Sequence, residues 1–131
     1  KYGDMSLYVN GDYTGLDINK EAIQEAERIG KGRFIVGDFL KFITEENFDI
    51  ISLSHILEHY EYKECISFLE KAFLHTKTIF VSIPQRFERK KGHKQTWESR
   101  ESFEKLFGND YILTRLIDTE VFSFNYLITK K

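Results

Sequence analysis

Four short runs of β-branched and aromatic residues constrain the fold of this chain more than any other feature. They are YTGLDI (13–18), RFIVGDF (33–39), FDIISLS (48–54) and TIFVSI (78–83), with helical patterns after the first and third. Each run is nearly continuous in apolar character and too short for a helix, which is how parallel strands covered on both faces read. In NKEAIQEAERIG, Asn19 is placed to cap a helix, acids crowd the first turn, Ala22, Ile23, Ala26 and Ile29 share a face, and Gly30 stops it. In 61–74, Tyr62, Cys65, Ile66, Leu69 and Phe73 form a second apolar stripe. Alternating strands and helices predict an α/β fold with right-handed crossovers.

The end of the chain differs. After a polar segment (85–98) and a short helix (99–107), YILTRLIDT and EVFSFNYLITK follow almost back to back. So short a link permits only an antiparallel pair. Segment 1–12 is ambiguous: Asn10-Gly11 signals a hairpin, while GDMSLYV also reads as the end of a helix.

With 131 residues, the chain suffices for one domain with a real core. Its 41% hydrophobic and 31% charged residues and single proline exclude a disordered chain. A net charge of −2 gives no overall pull towards nucleic acid or membrane. Apolar runs fall far short of the roughly 20 residues of a membrane span. Cys65 is the sole cysteine, so no internal disulfide forms and a reducing compartment, the cytoplasm, is expected.

Several side chains carry possible chemistry. Asp17 and Asp38 stand about twenty residues apart, each at the end of a predicted strand, on the edge where open α/β sheets bind ligands. Asp17 suits the two hydroxyls of a ribose and Asp38 an amino group of a base packed on Phe39, through charge-assisted hydrogen bonds. An isolated strand-end Asp more often caps the next helix. Ser54 and His55 follow the third strand, and His55 is a reasonable general base because imidazole titrates near neutrality. His55-Ile-Leu-Glu58-His59 also spells the inverted zinc-protease pattern, but that chemistry requires both histidines on a regular helix plus a third ligand, and a strand runs directly into His55. The segment 85–94 holds Arg86, Arg89, Lys90, Lys91 and Lys94 against Glu88; such runs are usually solvated loops. His93 and Trp97 in the same region are less easily explained by solubility.

In this order, the motifs resemble the class I S-adenosylmethionine-dependent methyltransferases over about residues 12–131. YTGLDINKEAIQEA is similar to the family's second-strand segment, which puts Asp17 and Ile18 at the cofactor's ribose. RFIVGDF resembles the adenine-contacting segment, with Asp38 and Phe39. FDIISLSHILEHY looks like the strand followed by a Leu-Glu-His signature, which implies that Leu57-Glu58-His59 begins the helix beside the active site, with Ser54 at the cofactor. TIFVSIPQ resembles the fifth strand and the terminal pair the sixth and seventh. Gly3 looks like the last glycine of the family's glycine-rich turn, and DMSLYV like the helix after it, which favours helix over hairpin there. The family's first strand, central in the sheet between YTGLDI and FDIISLS, has no counterpart here. The expectation is a truncated single domain of a longer protein, or another element filling that gap.

The resemblance implies S-adenosylmethionine as cofactor and transfer of its methyl group to oxygen or nitrogen of a small-molecule acceptor, with no metal, no membrane and nucleic acid unlikely. His55 is the first candidate base and His93 the second. A narrower alternative follows from families that 2′-O-methylate small-RNA ends. They too carry a Glu-His pair after the fourth strand and a later His, which implies a divalent ion on Glu58, His59 and His93, with His55 where they have Glu. A further alternative is a degenerate, non-catalytic binding domain.

Overall fold

The computed structural model describes residues 4–84, 92–94, 97, 99–117 and 123–131. The chain forms two compact units, Lys1–Thr44 and Glu45–Lys131.

In the first unit, β1 (Thr14–Asp17) pairs in parallel with β2 (Arg33–Val36), and α1 (Lys20–Ile29) connects them. Helix α1 starts where the sequence predicts: Asn19 Oδ1 accepts from the backbone N–H of Glu21 (2.9 Å) and Ala22 (3.2 Å). Two orphan donors are thereby satisfied. Ala22, Ile23 and Ala26 are buried, while Ile29 is half-buried. Gly30 is the residue that closes α1, and glycine fits there for a steric reason. Its φ of −91° is open to any residue, but a Cβ there would lie 2.6 Å from the Phe34 ring and 2.7 Å from Ser6 Oγ. Gly32, at φ +124°, passes so close to the Tyr13 carbonyl that a Cβ would sit 2.4 Å from its oxygen. Ahead of β1 lies a short 3-10 helix, Asp4–Leu7, and no strand, so the helical reading of this segment holds. Ser6 Oγ accepts from Lys31 N (2.8 Å) and ties it to the end of α1.

The second unit holds a four-stranded sheet in the order β3 (Ile51–Ser54), β4 (Thr78–Pro84), β6 (Ser123–Lys130), β5 (Tyr111–Arg115). Strands β3 and β4 are parallel, with α2 (Tyr62–His75) as crossover; β6 is antiparallel to both β4 and β5. The terminal antiparallel pair is therefore as expected, and its partner helix α3 is shorter, Arg100–Glu104. Ile79, Val81 and Ile83 of β4 and Tyr126 and Ile128 of β6 are fully buried. Phe103 of α3 packs edge-on against Trp97 (ring centroids 5.4 Å) and Phe107 (5.5 Å) and lies 5.1 Å from Tyr126. Trp97 is thus a core residue.

Three expectations require correction. Strand β2 ends at Val36, because Gly37-Asp38 turns out of the sheet. The buried face of α2 is Cys65, Phe68, Leu69, Ala72 and Phe73, whereas Tyr62 is exposed and Ile66 half-buried. Leu57–His59 forms a separate 3-10 turn and does not begin α2, whose own cap is Glu61. That break also removes the regular helix on which the zinc-protease pattern depends. Neither β1 nor β3 has a described strand on its other edge.

Candidate functional site

In the first unit, parallel pairing brings the two strand-end acids to one edge. Gly37 N donates to Asp17 O (2.9 Å), so the chain leaving β2 passes directly over the end of β1. Both carboxylates also build the turns they occupy. Asp17 Oδ1 accepts from Asn19 N (2.8 Å), Asp38 Oδ1 from Leu40 N (2.9 Å), and Lys41 Nζ lies 3.7 Å from Asp38 Oδ2. These bonds fix the orientation of both carboxylates at the edge. Ile18 is 70% exposed beside Asp17. Phe39 is half-buried. A cavity of about 110 Å³ lined by Tyr13, Leu16, Asp17, Ile23 and Phe34 runs along β1. Gly3 lies outside the described residues, as do Arg86, Arg89, Lys90 and Lys91.

The second unit gathers the histidines. His55 leaves β3 in the left-handed region, φ +53°, a conformation that costs a non-glycine residue about 1–2 kcal/mol. Its N–H donates to Ser82 O (2.8 Å), so strand β4 fixes the bend. His55 Nδ1 then stands 3.6 Å from Glu58 Oε1. Ser54, immediately before, is exposed at the end of β3.

Glu58 is 2% exposed, and its Oε2 is buried without a hydrogen bond. His59 Nε2 lies 3.9 Å from Glu58 Oε1, and His59 Nδ1 lies 3.3 Å from Gly92 O. The His59 and His93 rings meet edge to face at 5.0 Å. Lys94 N donates to Glu58 O (2.7 Å), so the residues on either side of His93 are both fastened to the Leu57–His59 turn. One donor atom from each of Glu58, His59 and His93 falls within 4.8 Å of the others. Both candidate bases, His55 and His93, therefore border the same buried carboxylate.

Sequence reasoning missed what holds this turn in place. Cys65 Sγ–H donates to Leu57 O (3.1 Å) from beneath, with Leu57 fully buried. Burial pushes the Cys65 thiol up to about 12, so it stays protonated and available as a donor. Its place on the apolar stripe of α2 was readable; its bond to a turn carbonyl had no sequence signal.

The parallel β1–α1–β2 arrangement, with acids just past both strand ends, is the kind of edge at which open α/β sheets bind ligands. The chain matches the family described as Methyltransferase domain over residues 2–75, more than half its length, and it belongs to that family. S-adenosylmethionine is its cofactor, as the sequence motifs imply. No curated protein matches the chain. Solved structures with the same fold include an S-adenosylmethionine-dependent methyltransferase from Clostridium acetobutylicum ATCC 824, at 12% identity and TM-score 0.71, covering 92% of this chain and 75% of that one. Magnesium protoporphyrin IX methyltransferase from Synechocystis PCC 6803 with bound cofactor aligns at 14% identity and TM-score 0.71, covering 98% and 64%. A small RNA methyltransferase aligns at 18% identity and TM-score 0.73, covering 99% of this chain and 22% of that one.

Proposed function

We propose that this methyltransferase transfers the methyl group of S-adenosylmethionine to an oxygen or nitrogen of a small-molecule acceptor in the cytoplasm. Methyl transfer from a sulfonium is a displacement at carbon, so in-line positioning with water excluded does most of the work. Asp17 takes the ribose hydroxyls, with Ile18 on the apolar side of the cofactor and Asp38 and Phe39 at the adenine. Ser54 and Gly3 complete the cofactor contacts. His55 takes the acceptor's proton. The observation that carries this role is its left-handed backbone beside a buried carboxylate: strain of this kind persists where function requires it, and Glu58 stabilises the imidazolium that forms. His93, on the other side of Glu58, is the second candidate.

Calorimetric titration with S-adenosylhomocysteine tests the cofactor site. Micromolar binding is expected, weakened at least about tenfold by Asp17→Ala, as loss of charge-assisted hydrogen bonds to a diol requires. An affinity that Asp17→Ala leaves unchanged would overturn the assignment.

A second reading is favoured by the Glu58–His59–His93 cluster: ion-assisted methylation of a ribose hydroxyl at an RNA end. The residues fit an ion. Ligands about 2.0–2.2 Å from a metal stand roughly 3–3.5 Å apart, so donor atoms at the 4.8 Å limit close in by roughly 1.5 Å. The buried, unbonded Oε2 of Glu58 gains a partner. A bound ion would polarise an acceptor hydroxyl, while His55 remains beside Glu58. Methylation of an RNA 3′ end that stops on chelation supports this reading; unchanged transfer to small acceptors in chelator supports the first.

A further inference from the structure

We infer that the Glu58–His59–His93 cluster is selective for a nitrogen-seeking divalent ion of the zinc and cobalt type over magnesium or calcium. The inference rests on the ion-assisted reading and adds the chemical class of the ion.

The donor set comes first. Two imidazoles face one carboxylate, and no second acid belongs to the cluster among the described residues. Magnesium and calcium collect oxygen ligands, usually more than one carboxylate, and magnesium keeps several waters in a near-octahedral shell. Imidazole donors suit zinc, cobalt, nickel and iron. A single anionic oxygen leaves a hard ion underserved here.

The tautomer of His59 comes second. With Nδ1–H donating to Gly92 O, the lone pair sits on Nε2, the atom on the Glu58 side. Outer hydrogen bonds of this kind orient metal-binding imidazoles and make them more basic. A magnesium ion gains little from such a nitrogen.

Preorganisation comes third. Gly92 and Lys94, the neighbours of His93, are each bonded to the Leu57–His59 turn. Glu58 is buried and its Oε2 makes no hydrogen bond, an arrangement that costs stability until a partner arrives. Three protein donors leave a fourth tetrahedral position for water or an acceptor oxygen, the pattern of reactive zinc sites. His55 stands outside the three-residue cluster, next to Glu58 Oε1.

The test uses metal-stripped protein with any affinity tag removed. Cobalt(II) is titrated by visible absorption, and zinc(II), cobalt(II) and magnesium(II) are compared by calorimetry and thermal shift. One zinc or cobalt ion per chain is expected, bound about a hundredfold or more tighter than magnesium, with cobalt bands typical of nitrogen and oxygen ligands. His59→Asn and Glu58→Gln should each abolish the bands. His59 is half-exposed, so His59→Asn retains the metal-free melting temperature and separates ion loss from misfolding. Magnesium binding as tight as zinc would overturn the selectivity and leave the ion-assisted reading standing. Absence of binding by all three ions would overturn both. Cobalt bands unchanged in His59→Asn and Glu58→Gln would place the ion elsewhere and overturn the inference.

Discussion

The two units solve different problems. The first, Lys1–Thr44, presents its acids on a two-stranded sheet of four-residue strands, with a core built on Ala22, Ile23 and Ala26 of α1. It leaves Leu7, Tyr8, Ile18, Val36 and Ile43 exposed. The second, Glu45–Lys131, holds its histidines above a four-stranded sheet with Phe103, Tyr126, Ile79, Val81, Ile83 and Ile128 fully buried. Two-stranded sheets are marginal by themselves. The strand-end acids are thus held by turns and caps, and the histidine cluster by a packed aromatic core.

The largest expected effect lies in that core. Phe103→Ala should cost about 3–5 kcal/mol in urea denaturation, because three aromatic rings lose their common partner. Ile23→Ala, at 5% exposure, should cost about 2 kcal/mol, the low end for such truncations. Equal costs would break the contrast between the units.

The sequence made much of this legible. Strand and helix periodicity located the six described strands and the three α-helices, and Asn19 and Gly30 marked both ends of α1. Order and spacing of weak motifs carried the family. Three features were not legible, because they arise from contacts distant in the chain. Leu57–His59 reads as helical, but His55 is already committed to Ser82 across the sheet, and Glu61 starts a new helix by donating its N–H to Glu64 Oε2. The burial of Glu58 has no local signal, since carboxylates are ordinarily exposed. The stripe on α2 is displaced to include Phe68 and Ala72, a choice made by what packs beneath it.

A middle-sized effect would sharpen the comparison. Asn19→Ala removes both cap bonds of α1 and should lower stability by about 1 kcal/mol. Hydrogen exchange should show the loss at α1 amides while β4 and β6 amides keep their protection. Uniform loosening of both units would break the idea that they are held separately.

The smallest effect concerns acid. The Arg115 guanidinium, with the Tyr126 hydroxyl, holds the Glu104 carboxyl below its usual range. A depressed carboxylate stabilises the fold above its unfolded value, near 4.3, and that contribution disappears as pH falls through the folded value. Denaturation midpoints of the wild type should therefore drop below about pH 4.5, and those of Glu104→Gln should drop less. Parallel pH curves would remove this pair from the account of the second unit's stability.

The passage from β3 to α2 has a consequence for inheritance. One end is bonded at His55 to Ser82, the middle at Leu57 to Cys65, and the far end is set by Glu61 and Glu64. A chain fastened at three points along so few residues has no slack. Insertion or deletion of one residue between Ser54 and Glu61 would rotate Glu58 away from the histidines, whatever residue was chosen. Relatives that keep this chemistry should therefore differ here by substitution and keep the length fixed.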